Sequence, residues 1–148
     1  MAFTQGIQTI NSLTADQSTN TNITPADITG FTFNIGAGKR IEWELRGVVT
    51  TGATGGFRFL AHNTSAPTIY NAEWQIVDET TPATFQDAQI TEAAFTNASA
   101  VATNYLLQAK GSVTANAATT FSIQFAQNNS TANNITLNKG MTLVIWQF

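Results

Sequence analysis

Between Asn104 and Phe148 apolar and polar residues alternate in three runs, NYLLQAKG, TTFSIQFAQ and MTLVIWQF, with polar turns between them. In the middle run Phe121, Ile123 and Phe125 alternate with Ser122, Gln124 and Ala126. This is the period of two that a strand shows when one face is buried and the other meets water. The last run differs: Leu143 and Ile145 on one side are matched by Val144, Trp146 and Phe148 on the other. Neither face suits water, so both are expected to meet protein. Upstream, Phe31, Phe33 and Ile35 lead through Gly36–Gly38 into Ile41, Trp43 and Leu45, which alternate with Glu42, Glu44 and Arg46. That pattern predicts a β-hairpin with one solvated face. FRFLAH and EWQIV read as two further strands, the second placing Trp74 and Ile76 on one side.

From Asp78 to Thr103 the pattern thins to Ala and Thr around Ile90 and Phe95. A structureless loop of that length is unusual in a compact domain, so a short strand near Gln89 or a single helical turn is expected there. Counting clear and weak strands gives about eight, at the spacing of an all-β fold, and the predicted architecture is a jelly-roll-like antiparallel β-sandwich. The chain is long enough for one domain to bury a core unaided. Residues 31–148 are assigned to the jelly roll, and the polar, weakly periodic residues 1–30 to an attachment segment or the first weak strands.

Composition narrows the partners. Charged residues make up 10% of the chain, against roughly 25% in soluble proteins generally, while Thr and Asn together supply 39 of 148 residues. The surface is therefore polar but largely uncharged. A net charge of -3 with scattered Lys and Arg gives no electrostatic grip on phosphates, so nucleic acid is not expected as a partner. With no cysteine there is no thiolate chemistry and no disulfide frame. MAFTQGIQTINS lacks the basic and apolar regions of a signal peptide, and no window approaches the ~20 apolar residues of a membrane span. Synthesis in the cytoplasm without membrane insertion is expected.

Candidate chemistry is sparse. His62 is the single histidine, which rules out a two-histidine metal site, and no G-x-S-x-G elbow accompanies it. Gly36-Ala37-Gly38-Lys39 lacks the spacing of a phosphate loop and runs into a strand, so a turn explains it better. Glu42 and Glu44 share a strand face about 7 Å apart, but Arg46 beside them points to a polar ladder against water or a neighbouring subunit. Asp78 and Glu79 lack the remainder of a calcium loop. No catalytic, cofactor-binding or metal-binding residue is assigned, and an enzyme is not expected. Trp43, Trp74 and Trp146 could form a sugar-stacking platform, yet each sits in a strand pattern. Trp146 stands apart because the opposite face of its strand is already apolar. Val144, Trp146 and Phe148 are therefore the candidate subunit interface.

The order of an apolar strand, a Gly-Lys turn and an amphipathic strand (Phe31, Phe33, Gly38, Lys39, Ile41, Trp43), then Gly56-Phe57-Arg58-Phe59, Lys110-Gly111, Phe125-Ala126-Gln127 and a final apolar strand after Lys139-Gly140, covers about half of the chain. It resembles the small jelly-roll virion proteins of tailed bacteriophages: head decorations, head fibres and tail-fibre knobs. The resemblance implies a non-enzymatic structural protein of the virion, a homotrimer seated on the capsid or another virion protein. No heptad or collagen-like shaft is present, which favours capsid decoration or a head fibre over a long tail fibre. The alternative is a tail-fibre receptor-binding knob or a lectin-like module that binds a host surface glycan.

Overall fold

The structure, a computed structural model, describes residues 6–19, 22–52, 56–78, 85–90, 95–97, 103–128 and 134–148. These form twelve strands and no helix: β1 (Ile7–Ser12), β2 (Gln17–Thr19), β3 (Ala26–Ile35), β4 (Arg40–Thr51), β5 (Phe57–Asn63), β6 (Ile69–Asp78), β7 (Phe85–Ile90), β8 (Phe95–Asn97), β9 (Thr103–Thr114), β10 (Thr119–Gln127), β11 (Ile135–Leu137) and β12 (Thr142–Gln147). They build two antiparallel sheets. The larger runs β1-β12-β4-β9-β6-β7, with β11 beside β4 and β2 beside β11, and the smaller runs β3-β10-β5-β8.

Four of the twelve strands belong to two interrupted lines. β11 and β12 lie end to end along β4, β11 opposite Val49–Thr51 and β12 opposite Ile41–Arg46. β2 and β1 repeat that break on the outer side. The interruption is bonded across: Leu13 N–H donates to Met141 O (2.9 Å), Gly140 N–H to Leu13 O (2.9 Å) and Lys139 N–H to Asp16 Oδ1 (2.6 Å). Met141 fills the space that a side chain at Gly47 would need, 2.6 Å from its Cγ. With these two pairs counted as single lines and the β6–β7 hairpin set aside as an insertion, the remaining eight strands take the orders first-eighth-third-sixth and second-seventh-fourth-fifth. That is the jelly-roll order, two interleaved Greek keys.

Two local expectations need correction. Phe31–Ile35 and Ile41–Leu45 are not a hairpin: β3 pairs with β10 in one sheet and β4 with β9 and β12 in the other. The Gly36–Lys39 turn crosses between layers, and both apolar sets face the same core from opposite sides. Alternation reports which side of a strand is buried, not which strand lies beside it. Gly38, at φ 72°, turns its N–H to Ala115 O (2.8 Å), while Lys39 N–H bonds Gly36 O (3.1 Å), so the turn's backbone is committed to structure. Second, the face of β10 expected to be wet is only partly so: Ser122 and Ala126 are buried along with Phe121, Ile123 and Phe125, while Thr120 and Gln124 on that face stay half-buried. β10 lies between β3 and β5, and Ser122 donates to Asp27 Oδ1 (2.7 Å), an oxygen that also accepts from Gln124 Nε2 (2.9 Å).

The strand expected near Gln89 is present as β7, and β8 follows it. The rest of that weak stretch, 79–84, 91–94 and 98–102, lies outside the described residues. Before Phe31, the strands β1 and β2 pair in the larger sheet, and Leu13 and Ile28 belong to the core.

Aromatic rings bridge the layers. Trp43 of β4 lies 5.8 Å from Trp74 of β6 and 5.6 Å from Phe121 of the opposite sheet, and Phe59 stacks on Trp74 at 5.8 Å. Rings at such spacings contribute beyond their buried area.

Candidate subunit interface

Because residues opposite each other in a ladder share a face, strand register dictates what the outer face of the larger sheet presents. Leu143 and Ile145 turn inward and are buried. Their neighbours turn outward in rows. One row runs Ile10, Val144, Glu44, Lys110, Glu73; the next runs Gln8, Trp146, Glu42, Ser112, Asn71; a third runs Ser12, Thr142, Arg46, Gln108, Gln75. Phe148 ends the stripe opposite Arg40, exchanging backbone bonds with it, and its ring lies over Gly6.

The three residues expected at an interface therefore stand on one outward stripe. Val144 and Trp146 are half-buried and Phe148 is 45% exposed. Ile10, 60% exposed on the neighbouring strand, extends the stripe sideways. It was not singled out from sequence, because its place beside Val144 comes from a pairing 134 residues away in the chain. The stripe thus joins two half-buried and two exposed apolar side chains, bordered by polar residues.

Beside the stripe lies a plateau of both charge signs. Arg40 Nη2 donates to Glu42 Oε1 (2.8 Å), Arg46 Nε donates to Glu44 Oε1 (2.7 Å), and Lys110 Nζ lies 3.4 Å from Glu73 Oε2. Each of the two glutamates considered for acid–base chemistry thus has its own arginine. As exposed pairs these add little stability; their effect is to leave the plateau charge-balanced. A shallow depression of about 840 Å³ opens here, lined among others by Trp146, Glu42, Glu73, Lys110, Gly111 and Ser112.

The other candidates are dispersed. Trp43 and Trp74 are core residues, so the three tryptophans form no platform. His62 is half-buried on β5 opposite Ser122, in a small cavity of about 290 Å³ with Leu60, Ala61, Asn63 and Ala66. Asp78 ends β6, and Glu79 lies outside the described residues. Among the described residues no three His, Asp or Glu side chains gather as metal ligands would. Tyr70 belongs to β6 and donates its hydroxyl to Ala61 O (2.8 Å), tying the two sheets together.

No protein-family model matches this chain, and none of the curated proteins does. Among solved structures, that of infectious bursal disease virus, Gx strain, is similar over 99% of this chain and 42% of that one, at 10% identity and a TM-score of 0.23. The Gt strain of the same virus gives 99%, 42%, 9% and 0.22. The chain thus spans less than half the length of the chains it resembles. At such TM-scores the likeness carries no argument, and the fold assignment rests on strand order.

Proposed function

We propose that this protein is a non-enzymatic structural component of a tailed-bacteriophage virion, decorating the capsid or forming a head fibre. In this reading it is made in the host cytoplasm and assembles as a homotrimer through Val144, Trp146 and Phe148. The observation that carries the reading is the stripe those residues form with Ile10 on the outer face of the larger sheet. A half-buried indole and an exposed phenyl ring on one face are the kind of anchors that dominate contact energetics when covered. A polar, nearly uncharged remainder and a jelly-roll frame also support a packed, repetitive setting. Attachment to the particle is assigned to Met1–Gly30. Since β1, β2 and Ile28 are built into the sandwich, a truncation testing attachment without unfolding stops before Ile7.

Two measurements test the proposal. Trp146→Asp is expected to reduce the mass by light scattering in dilute solution from trimer to monomer, with the β-type far-ultraviolet spectrum retained. An unchanged mass would remove Trp146 from the contact, and loss of all structure would place it in the monomer's core instead. Immunogold labelling of particles of the source phage is expected over the head. Label confined to the tail tip would favour the second reading, a receptor-binding knob or lectin-like module for a host surface glycan. One feature supports that alternative: the depression beside Trp146 joins an aromatic face to the carboxylates of Glu42, Glu44 and Glu73 and the amide of Asn71, a lining suited to sugars.

A further inference from the structure

The larger sheet ends at β1, and the backbone groups on its free side can be identified. Phe148 N–H bonds Arg40 O (2.9 Å) and Arg40 N–H bonds Phe148 O (3.5 Å). Antiparallel bonding alternates along a strand, so Thr142, Val144 and Trp146 bond toward β4, and Leu143, Ile145 and Gln147 bond toward β1. Their partners are Asn11, Thr9 and Ile7. Leu13, which donates to Met141 O, continues that set. The N–H and C=O groups of Gln8, Ile10 and Ser12 therefore point out from the sheet edge.

Sheet edges are normally guarded by charge, proline, register breaks or shortness. β3 follows Pro25, carries Asp27 and shifts register against β10; β7 carries Asp87, and β2 and β8 are three residues long. β1, Ile-Gln-Thr-Ile-Asn-Ser, has no charge and no proline, pairs in unbroken register, and exposes Ile7 by 69% and Ile10 by 60%. It is the unguarded edge among the described strands of useful length.

We propose that β1 pairs with β1 of a second copy, antiparallel about a two-fold axis through Ile10, joining two larger sheets into one. The strand's own pattern selects this occupant. In that register Ile10 faces Ile10 of the second copy, Gln8 faces Ser12, and Thr9 faces Asn11. Residues of like polarity meet, no charge opposes its own image, and the outward groups of Gln8, Ile10 and Ser12 all find partners. The row Val144–Ile10 then continues across the axis into Ile10–Val144 of the second copy. The contact lies in the plane of the sheet and is made by the backbone of Gln8, Ile10 and Ser12, whereas the contact through Trp146 and Phe148 lies against its face; the two share only the Ile10 side chain, and this one stands whether or not the virion reading holds.

The test uses sedimentation velocity and amide exchange on the full chain. The native protein is expected to associate with rising concentration into species of twice the mass. In that state the amides of Gln8, Ile10 and Ser12 exchange at least tenfold more slowly than at high dilution, while those of Thr9 and Asn11 are slow in both. Ile10→Lys, at an exposed outward position, should abolish the doubling and the extra protection. Ile10→Pro should do the same by deleting an N–H that β12 does not use. Trp146→Asp should leave the concentration-dependent protection at Gln8, Ile10 and Ser12 intact, which separates this edge from the face contact. Native amides at Gln8, Ile10 and Ser12 that exchange equally fast at every concentration would overturn the proposal. So would a doubling that persists in both Ile10 variants.

Discussion

Gly111→Ala is expected to cost roughly 4 kcal/mol or more, beyond the ordinary range for overpacking a core. The domain would then lose much of the 5 to 15 kcal/mol or so that folded domains hold in reserve. Gly111 lies at the centre of the larger sheet, opposite Trp43 of β4 on one side and Ala72 of β6 on the other. A Cβ there would stand 2.2 Å from the backbone oxygen of Asn71 and 2.7 and 2.8 Å from Cζ2 and Cε2 of the Trp43 ring. Neither obstacle gives easily. Asn71 is held by its own side chain, whose Oδ1 accepts from Ser112 N–H at 2.8 Å, and Trp43 is buried among other rings. The control is Gly36→Ala in the inter-sheet turn, where the nearest atom is the flexible Lys39 Cγ at 3.4 Å and the expected change is within about 0.5 kcal/mol. Urea denaturation of the two variants decides the matter: a Gly111→Ala midpoint as high as that of Gly36→Ala would show that β9 and β6 can part without loss.

The sequence exposes this architecture unevenly, and the reason lies in the range of each interaction. Period-two alternation is local, so Phe121, Ile123 and Phe125, or Ile41, Trp43 and Leu45, announce both strand and buried side. The two-sided apolar character of Val144, Trp146 and Phe148 is equally local, and the structure sets them on one outward stripe. Pairing is not local. Nothing in Phe31–Leu45 reveals that its two strands belong to different layers, and nothing in Ser122 or Ala126 reveals that flanking strands would bury them. β1 was the least legible, because an edge strand that pairs once has little reason to alternate strongly: Ile7 and Ile10 even fall on opposite faces. Its importance comes from the free bonds it carries, which no side-chain pattern records. The plateau shows the same limit, since Glu73 and Lys110 are 37 residues apart in the chain and meet only through the β6–β9 register.

Trp43→Ala should lower stability by about 3 to 5 kcal/mol, the usual cost of deleting a buried tryptophan side chain. Trp43 is 1% exposed and joins the layers, its ring near Trp74 in its own sheet and Phe121 in the other. Neither neighbour can follow a retreating ring, being held by packing on both sides, so most of the vacated volume stays open. Trp43→Phe should cost much less, about 1 to 2 kcal/mol. The indole Nε1 is buried with no hydrogen-bond partner among the described residues, so phenylalanine gives up ring volume but no bond. If the phenylalanine variant proves as unstable as the alanine one in thermal or urea unfolding, a bonded N–H rather than ring volume is what matters there. The consequence reaches the surface. The peptide of Trp43 spaces Glu42 from Glu44, and through them Trp146 from Val144. A ring seated firmly in the core therefore keeps the outward rows in register, and Trp43→Ala should weaken association at concentrations where the variant is still folded, whereas Trp43→Phe should leave association intact.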